Sequence, residues 1–138
     1  MLRIVGSVVA GAVTAFATVW LIELIGHLIF PLPEDLDLRN PEVAAQSLPS
    51  IPLPAKLIVV FAWFAGALAG GYVAKRISGR WWPAWLIAVV VAVGGIMTIM
   101  MIPHPAWMQI AAVVAPLLGG LVGGHLIPAP EGDADAHL

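Results

Sequence analysis

Four apolar runs, each long enough to cross a lipid bilayer, constrain this chain more than any other feature of its sequence. A helix needs about 20 mostly apolar residues to span the hydrocarbon core. The breaks between the runs are rich in proline or polar side chains, and proline rarely continues a helix because it lacks the amide donor. The four runs occupy residues 4–30, 55–74, 85–102 and 107–127.

This pattern predicts an all-α fold, a polytopic membrane protein with four transmembrane helices in an up-down bundle. We expect one domain over residues 1–130 and a disordered acidic tail at residues 131–138. The composition agrees, because 61% of the residues are hydrophobic and only 10% are charged, whereas a soluble domain is about 25% charged. The lipid bilayer is therefore the expected partner of this surface.

The basic residues predict how the bundle is oriented. Lys75, Arg76 and Arg80 lie together in the second connection, and Arg3 precedes the first run. Short loops rich in Lys and Arg stay on the cytoplasmic side of a membrane. We therefore expect both termini to be cytoplasmic and the connection between the first two runs to be outside. The basic residues form no continuous stripe, so a nucleic-acid partner is not expected.

Glycines at four-residue spacing indicate where helices approach each other closely. Small residues allow this approach in a bilayer, where burying leucine brings little gain because lipid is equally apolar. We expect the second and fourth spans to pack through their glycine faces at the centre of the bundle. The same faces could instead form a homodimer or bind a larger membrane complex. The candidate packing residues are Gly66, Gly70, Gly119, Gly120, Gly123 and Gly124.

The first run carries two ionisable residues one helical turn apart, Glu23 and His27. Helical periodicity places them on one stripe with Phe16, Trp20 and Phe30. Because a charge inside the bilayer is costly, we expect this stripe to face the bundle. The spacing also predicts a hydrogen bond between the two side chains. His104, in the third connection, is expected on the same outer side of the membrane.

Three interpretations of this cluster remain open. Glu23 and His27 could be a structural pair that fixes the first helix against its neighbours. Together with His104 they could bind a metal ion, since imidazole and carboxylate suit zinc or iron, although no close pair of ligands such as His-x-x-x-His is present. They could also conduct protons or ions, because histidine titrates near neutral pH. A chain of four helices would then have to oligomerise to form a conducting path. The residues do not identify a cofactor.

Three segments resemble a family of small uncharacterised bacterial membrane proteins. They are "IELIGHLIFPLPEDLD", with its Glu-x-x-Gly-His pattern at the end of the first span, "AWFAGALAGG" and "MIPHP". The resemblance covers most of the chain and departs mainly in the acidic tail. It implies a four-helix fold in a bacterial inner membrane, and it implies no activity, cofactor or site residue.

The expected function is that of a non-enzymatic integral membrane subunit, either accessory to a larger complex or self-associating. The chain has no cysteine, no Gly-x-Ser-x-Gly and no His-Glu-x-x-His, which removes several classes of catalytic site. The first alternative is a small oligomeric proton, ion or metal transporter that uses Glu23 and His27. The second alternative is a membrane metalloenzyme.

Overall fold

The computed structural model describes residues 1–34, 36–37 and 39–126, and in this part of the chain every regular element is helical. The elements are α1 (Leu2–Ile29), α2 (Pro41–Ser47), a 3-10 turn (Leu48–Ser50), α3 (Leu53–Ser78), α4 (Trp82–Met101) and α5 (Ala106–His125). The predicted disordered tail at 131–138 and the predicted end of the fourth run at 127 lie outside the described residues.

Four of these helices are long and apolar enough to cross a membrane, as the sequence predicts. α3 and α4 begin two and three residues earlier than expected, because prolines lie inside their first turns rather than before them. Pro54 occupies the first turn of α3, and Pro83 occupies that of α4. Proline is well suited to this position, where its missing amide hydrogen would have had no partner in the helix.

The short helix α2 was not predicted, because the segment that contains it reads as a proline-rich loop. Asn40 begins this helix, and its side-chain oxygen accepts a hydrogen bond from the amide of Glu42 at 3.1 Å. Pro41 takes the first helical position. A capping side chain followed by proline is a strong start signal for a helix, even for one of 7 residues.

α3 and α4 each pack against all three of the other long helices, and α3 makes the more extensive contacts. Both α1 and α5 pack against α3 and α4, which places them at opposite corners of the bundle. The sequence-based expectation that the second and fourth spans form the centre is therefore correct for α3 and wrong for α5.

The long helices differ in length, and this difference shapes one end of the bundle. Arg3 at the start of α1 donates from Nε to the carbonyl of Ile77, near the end of α3, at 2.6 Å. We call this the basic end, and we call the opposite end, with the 102–105 turn, the loop end. α1 and α3 have 28 and 26 residues, whereas α4 and α5 each have 20. At 1.5 Å per residue, α1 and α3 are therefore about 9–12 Å longer than α4 and α5.

The buried face of α1 differs from the predicted one. Its buried residues are the small side chains Ser7, Gly11 and Ala15, whereas Phe16 and Trp20 are 50% and 65% exposed. The expectation that the aromatic stripe faces the bundle is wrong at these two positions. Because lipid and protein interior are equally apolar, large side chains gain little by turning inward, and small ones allow the helices to meet.

Two of the three glycines of α3, Gly66 and Gly70, face α1, whereas Gly71 lies against α4 and against Gly120 of α5. A Cβ atom built on Gly66 would lie 2.9 Å from the carbonyl oxygen of Ala15, and one on Gly70 would lie 2.5 Å from that of Gly11. The central position of α3 explains this result, since its small residues meet neighbours on more than one side.

The glycines of α5 lie against backbone and small side chains of two helices. A Cβ on Gly119 would overlap the carbonyl oxygen of Phe64, and one on Gly123 would overlap that of Leu68, both in α3. The next pair faces α4 instead: a Cβ on Gly120 would overlap Cβ of Ala88, and one on Gly124 would lie 3.4 Å from Cβ of Ala84.

Candidate functional site: a polar pocket at the loop end

A cavity of about 210 Å³ lies at the loop end, where α1 and α3 extend beyond the turn between α4 and α5. The 3-10 turn and the residue after it contribute Leu48 and Ile51 to its wall. Most of the lining is apolar. The polar or ionisable side chains among the lining residues are Glu23, His27, Lys56, Thr98 and His104.

Glu23 and His27 both line this cavity, although they differ in exposure. Glu23 is partly buried, whereas His27 is exposed at the rim. His27 Nδ1 donates to the backbone carbonyl of Glu23 at 2.7 Å. The hydrogen bond predicted between the two side chains is therefore replaced by one to the backbone. Side chains in a helix lean toward the preceding turn, which brings the imidazole over this carbonyl.

His104 reaches the same cavity from the turn between α4 and α5. Its Nδ1 donates to the carbonyl of Ile102 at 2.5 Å. Gln109 donates from Nε2 to the carbonyl of His104 at 3.1 Å, which ties the turn to the first part of α5. The structure thus brings all three sequence-predicted residues, Glu23, His27 and His104, to the walls of one cavity.

The sequence interpretation missed Lys56 and Thr98. Lys56 lies in the first turn of α3, and its side chain adds a cation to the cavity wall. The Thr98 hydroxyl donates to the carbonyl of Gly94 at 3.0 Å within α4. The signal for Lys56 was available, because an up-down bundle places the start of the second span beside the end of the first.

The described residues do not form the metal site that the sequence left open. Among the described residues, no three His, Asp or Glu side chains come close enough together to bind one metal ion. Glu23, His27 and His104 share a cavity, but they do not form a ligand set.

A second cavity, of about 280 Å³, lies at the basic end between α3, α4 and α5. Lys75 lines it and donates from Nζ to the carbonyl of Gly124. His125 also lines it, and its Nδ1 donates to the carbonyl of Leu121 at 2.8 Å within α5. Both side chains thus bond the backbone near the end of α5, which gives them a structural role.

The two cavities are separated by an apolar core. Its members are Ala15, Trp63, Ala67, Ala74, Ile87, Val91, Met108 and Ala112. The one buried polar side chain in the described part of the chain is Ser7, whose hydroxyl donates to the carbonyl of Ile4 at 2.7 Å. The polar groups of the loop-end pocket are therefore not continued through the middle of the bundle.

No family model, curated protein or solved structure matches this chain.

Proposed function

We propose that this chain is a non-enzymatic integral membrane subunit that works by self-association, alone or within a larger membrane complex. The observation that carries the proposal is the apolar core between the two cavities. A transporter or channel needs polar groups or water along its path through the bilayer. Among the residues that the structure describes, a single copy of this bundle offers pockets with polar groups at its two ends and an apolar core between them.

The outward face of α1 supports self-association. Gly6 is exposed, and a Cβ atom built on it would meet nothing within 4 Å. Ala17 is exposed on the same face of α1 as Gly6. Ala10 lies between these two residues on that face and is partly buried. Every other helical glycine in the described residues faces another part of the bundle. Small residues that face lipid allow a second helix to approach closely.

The two alternatives, a transporter and a metalloenzyme, would require different arrangements of Glu23 and His27. Transport through Glu23 and His27 would have to follow a path between copies, and the exposed position of His27 at the rim is the one feature that favours it. A metalloenzyme would need ligands from outside the described residues or from a second copy.

The orientation and location that we propose follow from charge and from the family resemblance. Arg3, Lys75, Arg76 and Arg80 all lie at the basic end, which we assign to the cytoplasmic side. The loop-end pocket then opens on the outer side of a bacterial inner membrane.

Native mass spectrometry of the protein released from mild detergent tests the proposed assembly. We expect two or more copies of the chain, or a stable complex with another subunit. Gly6→Leu should shift the population toward single chains, because the larger side chain would keep the helices apart. The matched control is Ala106→Leu, since Ala106 is exposed in the first turn of α5. A single chain carrying a stoichiometric metal ion would contradict the proposal, and so would equal effects of the two substitutions.

A further inference from the structure

We propose that the loop-end pocket binds a phosphoethanolamine headgroup of a membrane lipid, with the lipid ammonium against Glu23 and its phosphate against Lys56. This inference goes beyond the proposed assembly and does not depend on self-association. It requires only that the four long helices cross a bilayer.

The hydrogen-bonding groups of the pocket are mainly acceptors. A carbonyl oxygen can only accept, so the bonds from His27 Nδ1 to Glu23 and from His104 Nδ1 to Ile102 place the hydrogen on Nδ1 of each ring. In the neutral ring, Nε2 is then an acceptor. The Thr98 hydroxyl gives its hydrogen to Gly94, which leaves its oxygen lone pairs available.

A primary ammonium matches this set of groups. It carries three hydrogen-bond donors and a positive charge, and the Glu23 carboxylate supplies the opposite charge together with acceptor oxygens. A quaternary ammonium, as in choline lipids, has the charge but no N–H donor. The acceptor set therefore predicts a preference for ethanolamine over choline headgroups.

Lys56 supplies the complementary charge for the phosphate. It lines the same cavity as Glu23, and within the described residues neither side chain forms an ion pair. Two opposite charges that share a cavity without pairing are both satisfied by a ligand that is itself zwitterionic. A lipid with a phosphate but no ammonium would satisfy only Lys56.

The size and depth of the pocket favour a lipid over a free solute. Its volume of about 210 Å³ is below the range of about 300–1,000 Å³ typical of pockets that enclose a whole drug-sized ligand. Glu23 follows Leu2 by 21 residues, or roughly 32 Å of helix, which reaches the headgroup level of a core about 30 Å thick. A headgroup fits in the cavity while its acyl chains remain in the bilayer.

Lipid retention measured by native mass spectrometry tests the inference. The delipidated protein is incubated in detergent with equal amounts of phosphatidylethanolamine, phosphatidylcholine and phosphatidylglycerol of identical acyl chains. We expect one phosphatidylethanolamine per chain, retained at least about tenfold over phosphatidylcholine, as one hydrogen bond to a charged group provides. Water-soluble phosphoethanolamine in a parallel sample should be retained far more weakly than the lipid.

Substitutions identify which side chains carry the preference. Glu23→Gln, which removes the negative charge and part of the acceptor capacity, should lower the ratio of ethanolamine to choline lipid, whereas Lys56→Gln should weaken retention of both. Glu42→Gln is the matched control, since Glu42 is exposed on α2 and does not line this pocket. Thr98→Val, which removes one acceptor, should lower the ratio with little change in shape and provides a second test if Glu23→Gln does not fold.

Three results would overturn the inference. Equal retention of ethanolamine and choline lipids by the unmodified protein would exclude the ammonium contact. An unchanged ratio in both Glu23→Gln and Thr98→Val would exclude this pocket as the site. Retention of soluble phosphoethanolamine as strong as that of the lipid would exclude the bilayer as the source of the ligand. None of these results bears on self-association, so the two proposals can fail separately.

Discussion

Replacing Gly119 with alanine is expected to disrupt the contact between α5 and α3 and to lower the free energy of unfolding by about 2–3 kcal/mol. The added methyl group would overlap the carbonyl oxygen of Phe64 and would lie 3.1 Å from the amide nitrogen of Leu68. These are backbone atoms of a helix, so no flexible side chain can move aside. The helices must separate, and the close packing that holds them in lipid is lost.

Gly94→Ala is the matched control for this substitution. A Cβ at Gly94 would meet only the ring of Phe16, at 3.7 Å, which is an ordinary van der Waals distance. Thermal unfolding in detergent, followed by size-exclusion chromatography, measures both variants. We expect a lowered transition and a broadened elution peak for Gly119→Ala, and near-native behaviour for Gly94→Ala. Equal behaviour of the two variants would show that the close approach of α5 to α3 is not what stabilises the bundle.

Replacing Glu23 with leucine is expected to raise the stability of the bundle by about 1–2 kcal/mol while lowering the preference for ethanolamine lipids. The Glu23 side chain is partly buried at the end of a membrane-spanning helix. Its backbone carbonyl, and not its carboxylate, accepts the bond from His27. Leucine removes a costly polar group and leaves that backbone bond in place. A residue kept at the expense of stability serves binding rather than folding.

Glu42→Leu provides the comparison, because Glu42 is exposed in the short helix α2. We expect its effect on the free energy of unfolding to stay within about 0.5 kcal/mol. Thermal unfolding and lipid retention are measured on the same preparations. A large loss of stability in Glu23→Leu would assign the residue a structural role in place of the binding role proposed here.

The number and approximate positions of the long helices could be predicted from the sequence, because length and apolarity suffice to identify a membrane span. The faces that the helices turn toward the bundle could not be predicted in this way. In a soluble protein an apolar stripe marks the core, but in α1 the exposed Phe16 and Trp20 are as apolar as anything buried. The informative signal in α1 is the four-residue spacing of its small residues, Ser7, Gly11 and Ala15.

Part of the candidate site could also be predicted from the sequence. Glu23, His27 and His104 stand out because ionisable residues are rare in or beside apolar runs, and all three line the loop-end pocket. Lys56 was missed, although it lies in the first turn of α3, which an up-down bundle places beside the end of α1. The bond of His27 to the backbone depends on a side-chain rotamer, and helical spacing does not specify it.

Thiol labelling tests the central claim, that polar groups at the two ends of the bundle are separated by a sealed apolar core. The chain contains no cysteine, so each single cysteine variant presents one thiol to a membrane-impermeant reagent. Ser50→Cys at the loop end should be labelled in intact cells, and Ser78→Cys at the basic end only after the membrane is opened. Val91→Cys, at a core position 3% exposed, should react only after denaturation. Labelling of Val91→Cys in the folded protein would contradict the sealed core, and labelling of Ser78→Cys in intact cells would reverse the proposed orientation.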